Sequence, residues 1–211
     1  MDKEQYLTPA ASAEAELIEK RSRFLARVGP AATEAEAQTH IERARRQYPD
    51  ANHHVYAYIL RRDNIVRCSD DGEPSGTSGP PALAVFQREN IVDVCCVITR
   101  FFGGTLLGTG GLARAYAGAA RLGLEAAGLM AMRRWAVLRL PCPYPLFERL
   151  KNLIAACDGL IESSEFGANI MIEALVPQER SEEFLAKTRD LSAGAIEPKV
   201  SETVFRGVRV R

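Results

Sequence analysis

Apolar and polar positions recur along the chain in two periods, and the switches between them lay out its elements. Residues 14 to 28 read as extended chain. Thr33 opens a helix in which Ala37, Ile41, Ala44 and Tyr48 return at helical spacing until Pro49 stops it. His53 to Leu60 alternates as a strand does, and Arg61-Arg62-Asp63-Asn64 reads as a turn into Ile65 to Cys68, giving a hairpin. Pro80 to Glu89 predicts a short helix, and Ile91 to Ile98, apolar on both faces, predicts a central strand. Leu112, Ala115, Tyr116, Ala119 and Leu122 mark one stripe of a further helix, whose many small residues allow close approach to a sheet. The first part of the chain is therefore expected to be a sheet with helices against it.

Beyond residues 130 to 135 the pattern changes. Strand (Trp135 to Leu140), helix (Pro145 to Cys157), strand (Leu160 to Glu165), strand (Asn169 to Val176), helix (Glu179 to Leu191) and strand (Ala195 to Phe205) follow in order. This β-α-β-β-α-β succession is the ferredoxin-like split βαβ arrangement. Its first helix is expected to bury Leu146, Phe147, Leu150, Leu153 and Ile154, and Phe166-Gly167-Ala168 to turn between the middle strands. The expectation is an α+β protein of two domains, 1–134 and 135–211, without repeats or low-complexity tracts.

With 211 residues, 46% of them hydrophobic and 26% charged, the chain has ordinary globular composition. Its 27 basic and 27 acidic residues balance, so it is no electrostatic magnet for nucleic acid. No stretch has the layout of a signal peptide, and no apolar run approaches the roughly 20 residues needed to span a bilayer, so a cytoplasmic protein with no membrane partner is expected. Five cysteines form no C-x-x-C pair, and adjacent Cys95 and Cys96 are set to face opposite sides of a strand, which suits reduced thiols rather than structural zinc.

Chemistry is concentrated in two loops. Eight of the 16 glycines fall between Gly72 and Gly111. The first loop, Ser69 to Pro81, carries Asp70, Asp71 and Glu73; the second, after Arg100, carries Gly103, Gly104, Gly108, Gly110 and Gly111 and leads into a helix bearing Arg114. A helix opening at Gly110 or Gly111 exposes unpaired amides and the positive end of its dipole, a natural phosphate seat. The loop lacks the Lys-Ser/Thr ending of a Walker motif, and its match to the dinucleotide fingerprint is weak. Glycine turns that bind nothing are the competing account. The three carboxylates can coordinate Mg²⁺ or act as a general base, or can simply bond nearby amides in turns. Arg100 and Arg114 can clamp phosphate oxygens or tie the loops together through Asp70, Asp71 or Glu73. Of the two strand histidines, only one can readily join a given site. Lys20 and Ser22 lie on the first strand, and Cys68 reads as a small packed side chain rather than a nucleophile.

Ser69-Asp-Asp-Gly-Glu-Pro-Ser-Gly-Thr77, Arg100-Phe-Phe-Gly-Gly104 and Leu107-Gly-Thr-Gly-Gly-Leu-Ala-Arg-Ala-Tyr116 closely resemble the motifs of the YigZ and IMPACT family of translation regulators. Lys20-Arg-Ser-Arg-Phe24 and Ala51-Asn-His53 with Ala57-Tyr58 match earlier motifs of that family, His53 included. The resemblance spans most of residues 14 to 128. It implies a first domain with the left-handed βαβ fold shared by a ribosomal small-subunit protein, a domain of elongation factor G and the GHMP kinases. The second domain is similar to the extra module of the bacterial members. The chain departs from the family at Phe101, where tyrosine is common, so no hydroxyl role transfers there. Two function classes follow. One is a regulator that binds the ribosome, RNA or a translation factor, with a phosphate-binding glycine loop. The other is an enzyme on a small phosphorylated or nucleotide substrate, Mg²⁺-dependent or not. The absence of a legible nucleophile and base favours binding, and no resident cofactor is implied.

Overall fold

A computed structural model describes residues 5–62 and 64–210. Residues 1–4, Asp63 of the expected turn and Arg211 lie outside the described residues. The chain divides into two compact units, Tyr6–Ala131 with the residues from Val208 onward, and Met132–Gly207.

The first unit holds β1 (Tyr6–Pro9), β2 (Ala13–Glu19), β3 (Ser22–Pro30), α1 (Glu34–Gln47), β4 (His53–Leu60), β5 (Ile65–Ser69), α2 (Gly79–Arg88), β6 (Val94–Phe101) and α3 (Thr109–Ala127). Its five-stranded sheet runs β2-β3-β6-β4-β5 with every neighbouring pair antiparallel. Strands β3 and β4 both oppose β6, so they run parallel to each other, and α1 is the crossover between them. Central β6 is covered on both faces, as its continuous apolar run requires. Val94, Cys96 and Ile98 join the core under α2 and α3, whereas Cys95 and Val97 meet Ala37, Ile41 and Ala44 of α1. Thr33 caps α1 by accepting the Glu36 N–H, and Glu36 reaches back to the Ala32 N–H.

Two boundaries differ from the sequence expectation. Strand β6 starts at Val94 rather than Ile91, because Asn90 and Asp93 take left-handed backbone angles of 53° and 51° that break the extended run. The Asp93 carboxylate instead accepts the Arg61 N–H at 2.8 Å, while Ile91 makes a parallel bridge to Leu7 of β1, a strand the pattern did not announce.

The division between the units falls within β7 (Leu129–Cys142), which starts six residues before the expected Trp135. The second unit continues through α4 (Phe147–Ala156), β8 (Leu160–Phe166), β9 (Ile170–Pro177), α5 (Ser181–Ser192) and β10 (Lys199–Arg209), with short 3₁₀ turns before each helix. β10 pairs with β7, and β7-β9-β8 follow, which is the ferredoxin-like strand order of a βαββαβ chain. Leu150 and Ile154 of α4 and Phe184 of α5 pack on Leu138, Leu140 and Ile172. Trp135 is also buried; its indole N–H donates to the Arg206 carbonyl at 3.1 Å and the Arg133 guanidinium lies over its ring. The whole is α+β, as the sequence pattern predicted.

Candidate functional site

The acidic loop between β5 and α2 directs its three carboxylates to three different destinations. Asp70 holds the start of α2: its Oδ1 accepts the Ser78 and Gly79 N–H groups, both at 2.9 Å, and its Oδ2 accepts the Gly76 N–H at 2.8 Å. Burial alone would raise its pKa, but these amide donors hold it below the usual carboxylate value. Asp71, at φ 45°, accepts the His54 N–H through Oδ2 at 2.6 Å and pairs with Arg45 of α1 through Oδ1 at 3.1 Å. For these two residues the turn chemistry considered from sequence is what the structure shows.

Glu73 is different, because its side chain is only 3% exposed. Its Oε1 accepts from Arg100 Nη1 at 2.5 Å and from the Tyr116 hydroxyl at 2.7 Å. Tyr116 is fully buried in α3, and its burial, followed by the bond to Glu73, raises the phenol pKa strongly. Arg100, itself buried, donates its other terminal nitrogen to Ser22 Oγ, which also accepts the Gly103 N–H. Its Nε has no hydrogen-bond partner. The bridging account of Arg100 therefore holds, with Glu73 as the partner.

His53 stands beside this pair at the start of β4. Its Nδ1 lies 2.8 Å from the Asp71 carbonyl, and a carbonyl can only accept, so the bond assigns the proton to Nδ1. That leaves Nε2 as the free nitrogen, 3.9 Å from Glu73 Oε2. His54 faces the other way; its Nδ1 meets Thr99 Oγ1, and burial lowers its pKa while the nearby Asp71 charge works against the shift.

The glycine loop joins β6 to α3. Gly103 fits because its backbone presses on that of Arg21; a Cβ there would come within 2.1 Å of the Arg21 carbonyl carbon. Gly108, at φ 71°, is the N-cap of α3 and supplies no side chain to cap it. The helix starts at Thr109, slightly before the expected Gly110 or Gly111, and its first internal bond is Leu112 N–H to Gly108 O. The amides of Thr109, Gly110 and Gly111 thus have no partner within the helix, and no acidic residue lies in its first turn.

These parts meet at a cavity of about 490 Å³ lined by His53, Glu73, Arg100, Phe102, Gly108 and Thr109, among others. Phe102 and Leu106 form an apolar rim, 45% and 83% exposed. Arg114 is exposed and lines a separate hollow with Lys20 and Gly111. Gly104 is exposed, Gly110 is helical, and Asp70 and Asp71 are engaged elsewhere, so of the sequence candidates His53, Glu73, Arg100 and Gly108 are those the cavity brings together. Sequence reasoning assigned Tyr116 to a packing stripe and had no role for Phe102 or Leu106. The signal for Tyr116 was a hydroxyl within an otherwise apolar stripe, which requires a buried partner. Cys68 is half-buried, and burial raises its thiol pKa. Among the described residues no group of three His, Cys, Asp or Glu side chains is arranged to hold a metal ion, and no helix is long and apolar enough to cross a membrane.

Two domain families match the chain: the Impact N-terminal domain over residues 20–124, and a domain of unknown function, DUF1949, over residues 140–195. The chain is 31% identical to IMPACT family member YvyE of Bacillus subtilis (strain 168) over 201 residues, which cover 95% of it and 93% of that protein. It is 32% identical to IMPACT family member YigZ of Escherichia coli (strain K12) over 197 residues, covering 92% and 97%. A crystal structure of a hypothetical protein, 32% identical, aligns with a TM-score of 0.59 over 94% of this chain and 98% of that one. A two-domain α+β architecture with a built polar cavity is thus shared over nearly full length. The chain belongs to the IMPACT family.

Proposed function

We propose that the protein is a translation-associated regulator that acts by binding, and that the cavity of its first unit receives a phosphate group of RNA or of a nucleotide. The observation that carries this reading is the first turn of α3, which opens uncapped onto the cavity beside the buried Glu73–Arg100 pair. Amides at a helix N-terminus attract anions, and the Arg100 charge offsets that of Glu73, so the carboxylate does not repel a phosphate nearby. The exposed Phe102 and Leu106 offer a base a surface on which to stack. In the cell the partner is a ribosome, an RNA or a ribosome-associated factor. The enzyme reading draws on the same cavity, where His53 and Glu73 form a proton-accepting pair.

Gly110→Asp tests the binding reading. An added Cβ at Gly110 meets only the tip of Arg114 at 3.6 Å, and the new carboxylate sits at a favourable place for the helix dipole. The variant is expected to fold, to lose binding to a labelled single-stranded RNA, and to fail to sediment with ribosomes at low salt. Wild-type binding should weaken as salt rises, with a shallow slope because few basic residues are clustered. RNA binding unchanged by Gly110→Asp overturns the assignment.

A further inference from the structure

We propose that the cavity distinguishes ribonucleotides from deoxyribonucleotides, with Glu73 Oε2 and His53 Nε2 accepting hydrogen bonds from the ribose hydroxyls. This inference rests on the phosphate reading above and names the ligand class that reading leaves open.

The argument starts from an imbalance within one carboxylate. Glu73 Oε1 accepts two strong bonds, from Arg100 and Tyr116, whereas Oε2 has no hydrogen bond among the described residues, and its nearest ionisable neighbour is His53 Nε2 at 3.9 Å. The side chain is 97% removed from solvent, yet Glu73 lines the cavity. An acceptor so placed without a donor carries a desolvation penalty that a ligand donor relieves. His53 adds a second acceptor, because the Asp71 carbonyl keeps the imidazole proton on Nδ1 and leaves the Nε2 lone pair toward Glu73.

Two neighbouring acceptors cannot satisfy each other. They call for a ligand with two adjacent donors, which a phosphate oxygen cannot supply and a vicinal pair of hydroxyls can. Ribose carries such a pair on the ring that also bears the phosphate, and the 2′-hydroxyl is the group by which a protein tells RNA from DNA. A carboxylate accepting ribose hydroxyls is a recurrent solution in nucleotide sites of unrelated fold. The Arg100 pair permits that carboxylate to stand near a phosphate, and the orientation of each group is fixed from behind: Glu73 by Arg100 and Tyr116, His53 by the Asp71 backbone.

Calorimetric titration of the whole protein with AMP, 2′-deoxy-AMP, ribose 5-phosphate, 2-deoxyribose 5-phosphate and inorganic phosphate is the test. AMP is expected to bind at least about 10-fold more tightly than 2′-deoxy-AMP, since one hydrogen bond to a charged acceptor accounts for a ratio of that order. The two sugar phosphates should show the same preference, which removes the base amine as its source. His53→Ala, a change at a partly exposed strand end, should fold by circular dichroism and reduce the ratio several-fold. Equal affinities for the ribo and deoxy ligands, with phosphate still bound, overturn this inference and leave the phosphate reading standing. A preference that follows the adenine amine instead of the 2′-hydroxyl also overturns it, and failure of every probe, phosphate included, removes both.

Discussion

The loop from Ser69 to Ser78 and the loop from Phe102 to Gly108 border one cavity and are both built from glycine and polar residues, yet they orient their hydrogen-bonding groups oppositely. In the first, Asp70 and Asp71 turn inward and take up amides of α2 and β4, so that most of its acceptors are satisfied by the protein itself. In the second, backbone donors at the start of α3 are left without a cap. Composition does not separate these cases, because acidic turns and glycine turns both arise for purely local reasons. What separates them is the remainder after internal bonding: a free carboxylate oxygen on Glu73 in one loop, and free amides in the other.

The comparison can be broken most severely where the loops are joined. Arg100→Ala leaves Glu73 buried without its cation, and a loss of about 3 to 5 kcal/mol of stability is expected in urea unfolding. Loss of less than about 1 kcal/mol would mean that the pair is hydrated and not the fixed support described. Asp70→Ala should be next, at about 2 kcal/mol, through release of three amides at the start of α2. Gly108→Ala should destabilise by about 1 kcal/mol from its left-handed backbone alone, since the added Cβ meets nothing within 4 Å. By contrast Arg114→Ala, at an exposed helix position, should leave thermal stability within about 0.5 kcal/mol of wild type.

A pH dependence sharpens the contrast between the two histidines. His54 has its pKa lowered by burial, so below about pH 6.5 the unfolded chain takes up a proton that the folded chain refuses. Stability therefore falls as the pH drops from 6.5 toward the lower folded value, and is fully retained above 6.5. Melting curves from pH 8 to 5.5 should show that decline, and His54→Gln should flatten it.

Elements with a strong local rule were legible from the sequence. His53–Leu60 alternates without interruption, and Thr33 with Pro49 brackets α1. Boundaries set by single unusual residues were not: Asn90 and Asp93 shorten the front of β6 by adopting left-handed angles that an apolar run conceals. Strand β1 owes its existence to neighbours far along the chain, including the bridge from Leu7 to Ile91, and four residues ending in proline carry no period of their own. At the site, the importance of the two loops was readable, and so was the option that Arg100 pairs with a loop carboxylate. Which carboxylate it chose was not, because Asp70, Asp71 and Glu73 differ only in how the backbone aims them. Tyr116 was hidden by its place in a helix stripe until its hydroxyl was found on Glu73.

Trp135 gives these experiments an optical axis. It is the only tryptophan, it is buried in the second unit, and its ring is held by Arg133 and by the Arg206 carbonyl. Indole emission consequently reports the unit that does not contain the cavity, whereas Tyr48, Tyr56, Tyr58 and Tyr116 all lie in the unit that does. An Arg100 variant followed at both wavelengths carries its own internal reference: parallel shifts of the two signals measure cooperativity between the units, and a tyrosine shift alone measures their independence.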